Sequence, residues 1–461
     1  MPENSPTLTK ALGFRDTVAL AFGSMVGWSW VILSGQWLST AGLLGALLAF
    51  ATGGAIIALI ALTYAELASA MPVTGGEHAY SKRAFGRHTS FLCTWAITFG
   101  YVSVAAFEAV ALPTVLSGFV ELKGPVLWEI AGWEVHLLWA LTGVVGAILM
   151  TVINCLGVRP AALLQFVLVC AMLAAGLYLI AGATLQPASL PSATAHNDSE
   201  LTLAGFASVL IMVPFLFVGF DVIPQTAGES RMAHRRLGSA LLAAVGLTTI
   251  WYILIVWAVS VAYPNPVDSG DLPTATAAEK LWHSPWAYRL LLLAGLAGII
   301  SSWNGFIVGG SRAIYAMAAD GMLPRWLSAI HPRYGTPYRA IMLIGLISAL
   351  APWFGRPLLV WLVNAGGLGV VLAYLLVAAA FLQLRRQEPE MPRPYVVPVG
   401  SLVGCSALLL SLSLAALYLP GSPAALQQPE WLLLVLWFGL GALLYRSQQD
   451  PQANNPHSAR T

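Results

Sequence analysis

The sequence predicts an all-α membrane protein of twelve transmembrane helices, the first and sixth of them discontinuous. Three observations carry this. Only 9% of the 461 residues are charged and 58% are hydrophobic, whereas soluble domains carry roughly a quarter charged residues. Apolar runs long enough to span recur along the chain, each near the ~20 residues a spanning helix needs. Glycine and proline interrupt two of those runs, five spans apart.

The spans fall at 16–36, 39–64, 89–118, 137–156, 160–183, 204–228, 237–262, 287–317, 338–353, 358–384, 397–419 and 428–446. Lipid offers no partner to a bare peptide group, so each span is a helix. Lys and Arg recur in alternate loops. Lys10 and Arg15 precede span 1, and Lys82, Arg83 and Arg87 follow span 2. Arg159 follows span 4, and Arg231, Arg235 and Arg236 follow span 6. Arg325, Arg333 and Arg339 follow span 8, Arg385, Arg386 and Arg393 follow span 10, and Arg446 closes span 12. The intervening loops are poorer in basic residues. This alternation places both termini in the cytoplasm by the positive-inside rule, and an odd span count would scramble it. Residues 1–15 then form a cytoplasmic segment, 16–384 a ten-helix core, 397–446 two peripheral helices and 447–461 a cytoplasmic tail. The N-terminus shows no cleavable signal pattern.

The breaks are "FGSMVGW" (22–28), with Gly23, Ser24 and Gly27, and "ASVLIMVPFLFVGFDVIPQTAGE" (207–229), with Pro214, Gly219, Asp221 and Pro224. Proline removes a backbone donor, and glycine costs a helix about 1 kcal/mol relative to alanine. Paired interruptions in corresponding spans point to inverted repeats around a midplane site. The composition argues against other classes. A net charge of +2 gives no sign of nucleic-acid binding. The four cysteines (Cys93, Cys155, Cys170, Cys405) lie in apolar runs and read as small core residues. No metal-ligand cluster, cofactor motif or nucleophile–base set is visible, so an enzyme is not expected. A channel or receptor is an alternative, but a channel needs a filter ring and none is visible.

Four motifs, in order, carry a resemblance. They are "TYAELASAMPVTGGEHAYSKRAFG" (63–86), "FVGFDVIPQTAGE" (217–229), "SRAIYAMAADGMLP" (311–324) and "RPYVVPVG" (393–400). The chain resembles the amino acid–polyamine–organocation permease superfamily over nearly its whole length. The resemblance implies the leucine-transporter type of fold: spans 1–5 and 6–10 as a 5+5 inverted repeat, spans 11–12 peripheral, and substrate among spans 1, 3, 6, 8 and 10. It implies a secondary transporter for a small amine or amino acid, working by alternating access in the inner (cell) membrane, with proton coupling or exchange. Sodium-coupled uptake of neutral amino acids is the alternative. A monomer or homodimer in the bilayer is expected.

The resemblance also assigns residues. At the first break Met25, Gly27, Trp28 and Ser29 face the substrate, and Trp28 and Ser29 stand where the family's small residues are usual. Small residues there free backbone N–H groups for a carboxylate. Trp28 would crowd that anion, which argues for a substrate lacking an α-carboxylate or binding it otherwise. In span 6 Phe215 takes the place of a gating aromatic, and Val218 and Gly219 offer unwound carbonyls. Asp221 either meets a substrate ammonium, carries the coupling proton or bonds unwound backbone; an intramembrane charge costs a few kcal/mol and is a functional candidate. Tyr101 in span 3 lines the site. Glu108, two turns beyond it, is a second proton candidate expected toward the outer vestibule. Trp303 offers its ring face to an ammonium. Ser301 and Ser302 are weak Na⁺ candidates, since hydroxyls more often join helices. The lysine that some proton-coupled relatives use in span 5 is replaced by Met172. Asn364 lies beside small residues in span 10. Glu66, Glu77, His78, Arg312 and Glu229 form the cytoplasmic gate, with Glu229 expected to find an arginine.

Overall fold

A computed structural model describes residues 13–157, 159–185, 201–263 and 272–449. The ends of the chain, including most of the expected segments 1–15 and 447–461, lie outside the described residues. Helices dominate. The first break separates α1 (Phe14–Val26) from the single turn α2 (Ser29–Ile32), and α3 (Ser34–Ala70) follows directly. The join expected near residues 36–39 falls instead at Gly42, where φ is 64° inside the long helix. Glycine reaches that conformation without steric cost.

A short helix α4 (Glu77–Phe85) then leads into α5 (Arg87–Leu116). After it come a β-hairpin, β1 (Val126–Ile130) and β2 (Trp133–His136), and the helices α6 (Leu137–Cys155) and α7 (Arg159–Leu185). The second broken segment divides into α8 (Leu203–Leu210), α9 (Val213–Phe217) and α10 (Val222–Gln225). Pro214 sits in the first turn of α9, where its missing N–H costs nothing. The remaining helices are α11 (His234–Ala262), α12 (Pro273–Trp282), α13 (Pro285–Ala319), α14 (Tyr338–Leu350), α15 (Leu358–Gln387), α16 (Gly400–Leu417) and α17 (Gln428–Gln449). The hairpin, α4 and α12 went unread in the sequence because each is too short or too polar to register as a span.

Among the described residues ten helices are long and apolar enough to cross a membrane, with a shorter apolar helix at Tyr338–Phe354. Leucine and valine line their outer faces, such as Val145, Leu149 and Val152 on α6 and Leu432, Val435 and Leu443 on α17. An apolar exterior over a buried core suits lipid as solvent, and the chain is a multi-pass membrane protein. Cys170 and Cys405 lie on that exterior, not in the core as expected, whereas Cys93 is buried.

Inside, α1 packs against α7, α11 and α13, while α5 packs against α13 and α15. The second broken segment runs beside α3 and α15. Helix α16 reaches the bundle through α3 and α15, and α17 through α5 and α15.

Candidate functional site

The first break is narrower than the sequence suggested. Gly23 and Ser24 remain helical, and the Ser24 hydroxyl donates back to the Leu20 carbonyl at 2.7 Å. Gly23 is there for closeness: a side chain would collide with Ser301, Gln165 and Val169. The chain breaks at Gly27, with φ 40° and ψ −134°. The freed carbonyls find side-chain donors, as buried peptide groups must. Trp30 Nε1 donates to Gly27 O at 3.1 Å, and the Tyr252 hydroxyl of α11 donates to Met25 O at 2.9 Å. The Ser29 and Tyr252 hydroxyls lie 2.9 Å apart, so Tyr252 bridges both sides of the break. Trp28 is fully buried, its ring lodged against Gly295 of α13 and its Nε1 without a partner among the described residues.

Glu108 joins this break. A methyl on Gly27 would lie 3.0 Å from Ser302 Oγ and 3.2 Å from Glu108 Oε1. Glu108 is buried, and its Oε2 has no hydrogen-bonding partner among the described residues. The expectation of an outer vestibule is therefore corrected. Seven residues of helix rise about 10 Å, and that carries Glu108 from the level of Tyr101 to the level of the first break.

The second break spans Val218 to Asp221. Val218 turns out of α9 with ψ 136°, and Gly219 takes φ 130°. Asp221 closes the turn: Gly219 N–H donates to Oδ1 at 2.9 Å, and the Tyr374 hydroxyl of α15 donates to Oδ2 at 3.2 Å. Both oxygens are thus engaged within the protein. Tyr64, Phe220 and Tyr374 pack edge to face or tilted around it, with centroids 5.3–5.8 Å apart. The Tyr101 hydroxyl lies close to Asp221 and Gln225 without reaching hydrogen-bond geometry to either.

The two breaks touch. A Cβ on Gly219 would stand 2.8 Å from Ser24 Cβ and 2.9 Å from Met25 N. Phe215, one turn above, meets Phe107 with ring centroids 5.9 Å apart and packs on Gly366. Met25, Gly27, Trp28, Ser29, Tyr101, Phe215, Val218, Gly219, Asp221 and Glu108 therefore gather around the two breaks. Trp303 does not join them. Its ring faces Gly146 of α6, because one step along a helix turns a side chain by about 100° away from its neighbour Ser302.

The two serines part company in the same way. Ser301 Oγ accepts from Gln165 Nε2 of α7 at 2.7 Å, and Asn304 Nδ2 donates to Gln165 Oε1 at 3.4 Å. Ser302 faces Gly27 and Glu108. Met172, one turn and more along α7, instead packs its sulfur near Gly298. Gln165 is a residue the sequence reading missed. Its signal was available, an isolated amide in "ALLQFVLV". Tyr252 and Tyr374 were missed for a different reason: a lone tyrosine in an apolar run carries no mark of its partner.

Ion pairs close the basic end of the bundle. Arg312 of α13 meets Glu229 with Nε–Oε1 at 3.0 Å and Nη2–Oε2 at 3.3 Å, both side chains buried. Glu66 accepts from Arg385 at 2.9 and 2.5 Å and lies 3.1 Å from Arg393. Asp320 joins His78 and Lys82, each at 2.6 Å. Burial pushes the His78 imidazole below its ordinary range, against the pull of Asp320. Asn364 lies elsewhere, donating to Glu430 of α17 at 2.7 Å. Among the described residues no group of three or more His, Cys, Asp or Glu is placed to hold a metal ion.

This architecture has known relatives. A family model described as amino acid permease matches residues 12–440. The chain is similar to the methylthioribose transporter of Bacillus subtilis (strain 168), 25% identical with 96% of this chain and 94% of that protein covered. It is similar to the branched-chain amino acid permease BcaP of the same organism, 25% identical over 88% and 89%. It is also similar to the vacuolar cationic amino acid transporter 4 of Arabidopsis thaliana, 28% identical over 83% of this chain and 64% of that protein. These relatives are permeases and transporters, not enzymes. With a family match across almost its whole length, the chain belongs to the amino acid permease family.

Proposed function

We propose that this permease is a secondary transporter that moves a small amine or amino acid by alternating access, driven by protons or by exchange. The observation that carries the reading is the meeting of two helix breaks, each with its own buried acid: Glu108 beside Gly27 and Asp221 beside Gly219. Helix breaks free backbone groups for a ligand, and buried acids draw a cation or a proton. Ten long apolar helices, together with the broken α1–α2 segment and the shorter α14, support a reading of twelve spans. Residues 16–384 form the 5+5 repeat, and 397–446 are peripheral. The basic end faces the cytoplasm, with both termini, in the cell membrane. There the Arg312–Glu229 pair is the gate.

Protons fit the site better than sodium. The Ser301 hydroxyl already accepts from the Gln165 amide, and Ser302 stands against a glutamate. The substrate binds among Met25, Gly27, Ser29, Tyr101, Phe215 and Gly219. The buried Trp28 favours a ligand without an α-carboxylate. The names of the relatives widen the panel to branched-chain and cationic amino acids and methylthioribose. The deciding experiment is uptake into proteoliposomes of labelled putrescine, leucine, arginine and methylthioribose, with and without an inward proton gradient. Gradient-driven accumulation of putrescine above leucine is expected. Accumulation that follows a sodium gradient, or conductance without uptake, would sink the proposal.

A further inference from the structure

Three glutamates are buried near the basic end, and they are not alike. Glu66 has Arg385 and Arg393, and Glu229 has Arg312. Glu77, the first residue of α4, is 0% exposed and forms no ion pair among the described residues. Its Oε2 accepts from Gln225 Nε2, and its Oε1 has no hydrogen-bonding partner among the described residues. The nearest cations in sequence, His78 and Lys82, turn to Asp320 instead.

Among the described residues, the groups that face Glu77 are acids or neutral. Tyr64 approaches from α3, Cys93 and Tyr101 from α5 and Tyr374 from α15. Tyr80 lies on its own helix, and Asp221 faces it from the second break. An ionised carboxylate buried with neither a cation nor a full set of donors costs several kcal/mol. The first-turn position on α4 returns at most about 2 kcal/mol through the helix dipole. Two buried acids that face one another with no cation between them disfavour a second negative charge.

The connection to the second break is also mechanical. Gln225 closes α10, the short helix that Asp221 begins, and its backbone N–H bonds to Asp221 O at 3.2 Å. Its carbonyl accepts from Gly75 N–H at 3.3 Å, in the turn just before α4. Gly76 fits flush against Pro224 and Gln225, where a Cβ would stand 3.1 Å from Pro224 C. Movement of α10 is therefore delivered to the carboxyl of Glu77.

Resting on the transporter reading, we infer that Glu77 holds the coupling proton: its carboxyl is protonated while the basic end is closed, Asp221 keeps the single negative charge of the pair, and opening of that end exposes Glu77 to water. Its O–H bond then breaks, the proton goes to water on that side, and a carboxylate remains. Glu77 is thus a proton-coupling residue and does not touch substrate.

The test uses the full chain in proteoliposomes, with leucine, arginine, putrescine and methylthioribose as probes. For Glu77→Gln, gradient-driven accumulation should fall at least about tenfold, because one tenfold step is only ~1.4 kcal/mol. Counterflow, which needs no net proton movement, should persist within about threefold. Undiminished gradient-driven accumulation, or parallel loss of counterflow, overturns the inference. Should Glu77→Gln fail to fold, Gln225→Leu removes the donor that favours the ionised carboxyl. It should raise the pH at which gradient-driven uptake is half lost by at least about half a unit, and an unchanged profile overturns the inference.

A readout without substrate separates the two proposals. A carboxyl that keeps its proton on folding makes the folded state less stable as pH rises, since the unfolded chain releases that proton first. Between about pH 5 and pH 9 the wild type should lose thermal stability relative to Glu77→Gln. Parallel curves overturn the inference. Absence of uptake of all four probes by the wild type, with diverging curves, overturns only the transporter reading.

Discussion

The two helix breaks answer one physical problem in opposite ways. At the first, only Gly27 and Trp28 leave the helix, and the freed carbonyls are met by Trp30 and by Tyr252 from another helix. Its acid, Glu108, comes from α5 and keeps one oxygen unused. At the second, the chain unwinds over Val218 to Asp221, and the acid is local. Asp221 spends both oxygens, one on Gly219 and one on Tyr374. A break can thus be stabilised from a distance, which leaves an acceptor over, or from within, which does not. The first is ready to receive a donor. The second must give up a bond to do so.

Substitutions at matched positions sharpen or break this contrast. The largest expected effect is on folding. Gly219→Ala forces an L-residue to φ 130° and drives a Cβ against the backbone N of Met25; a loss of roughly 3 kcal/mol is expected. Gly27→Ala also forces an L-residue to a positive φ, but its Cβ meets only the side chains of Ser302 and Glu108, so it should lose less, roughly 2 kcal/mol. Thermal unfolding in detergent measures both, and equal losses would remove the distinction between the breaks.

Next comes Asp221→Asn. It replaces an acceptor of two hydrogen bonds by an amide, and hydrogen bonds to a charged group are worth about 2 kcal/mol, or roughly thirtyfold in uptake. Wild-type uptake would leave Asp221 no role in transport. Glu108→Gln should weaken uptake by about tenfold and flatten its dependence on external pH, since an amide cannot exchange a proton as the buried carboxyl can. If rate and pH profile both survive, Glu108 is packing and its bare oxygen has no use. The smallest effects are those of the remote hydroxyls. Tyr374→Phe and Tyr252→Phe each remove about 1 kcal/mol of hydrogen bonding, or roughly fivefold. Tyr374→Phe should act on uptake. Tyr252→Phe should act mainly on the unfolding temperature.

Much of this was legible in the sequence, residue by residue, and the exceptions share a cause. Composition and run length gave the membrane helices, and glycines within apolar runs gave both breaks. An arginine partner was expected for Glu229 without saying which, and the structure shows Arg312 at 3.0 Å. Gly23 and Ser24 were misread because a glycine kept for close packing looks, in one dimension, like a glycine kept for unwinding. Glu108 was placed too far out, since its height depends on how α5 lies against α1. Trp303 was placed in the site by alignment, but its ring faces α6 because of a single helical step. Gln165, Tyr252 and Tyr374 each act through a partner more than a hundred residues away. No local pattern encodes such a partner.

Tyr252 has a mechanical consequence. Its phenol touches Ser29 on one side of the Gly27 break and Met25 on the other, and it lies 3.4 Å from Leu216 O beside the second break. One oxygen atom therefore reads the bend angle of one broken helix and its distance from the other. Flexing α2 about Gly27 while α1 stays put would pull that oxygen from one of its neighbours, at about 1 kcal/mol for each hydrogen bond broken. The joint is thus a hinge with a latch, soft enough to open on thermal energy and a small input from a ligand, yet tight enough that both broken helices turn together.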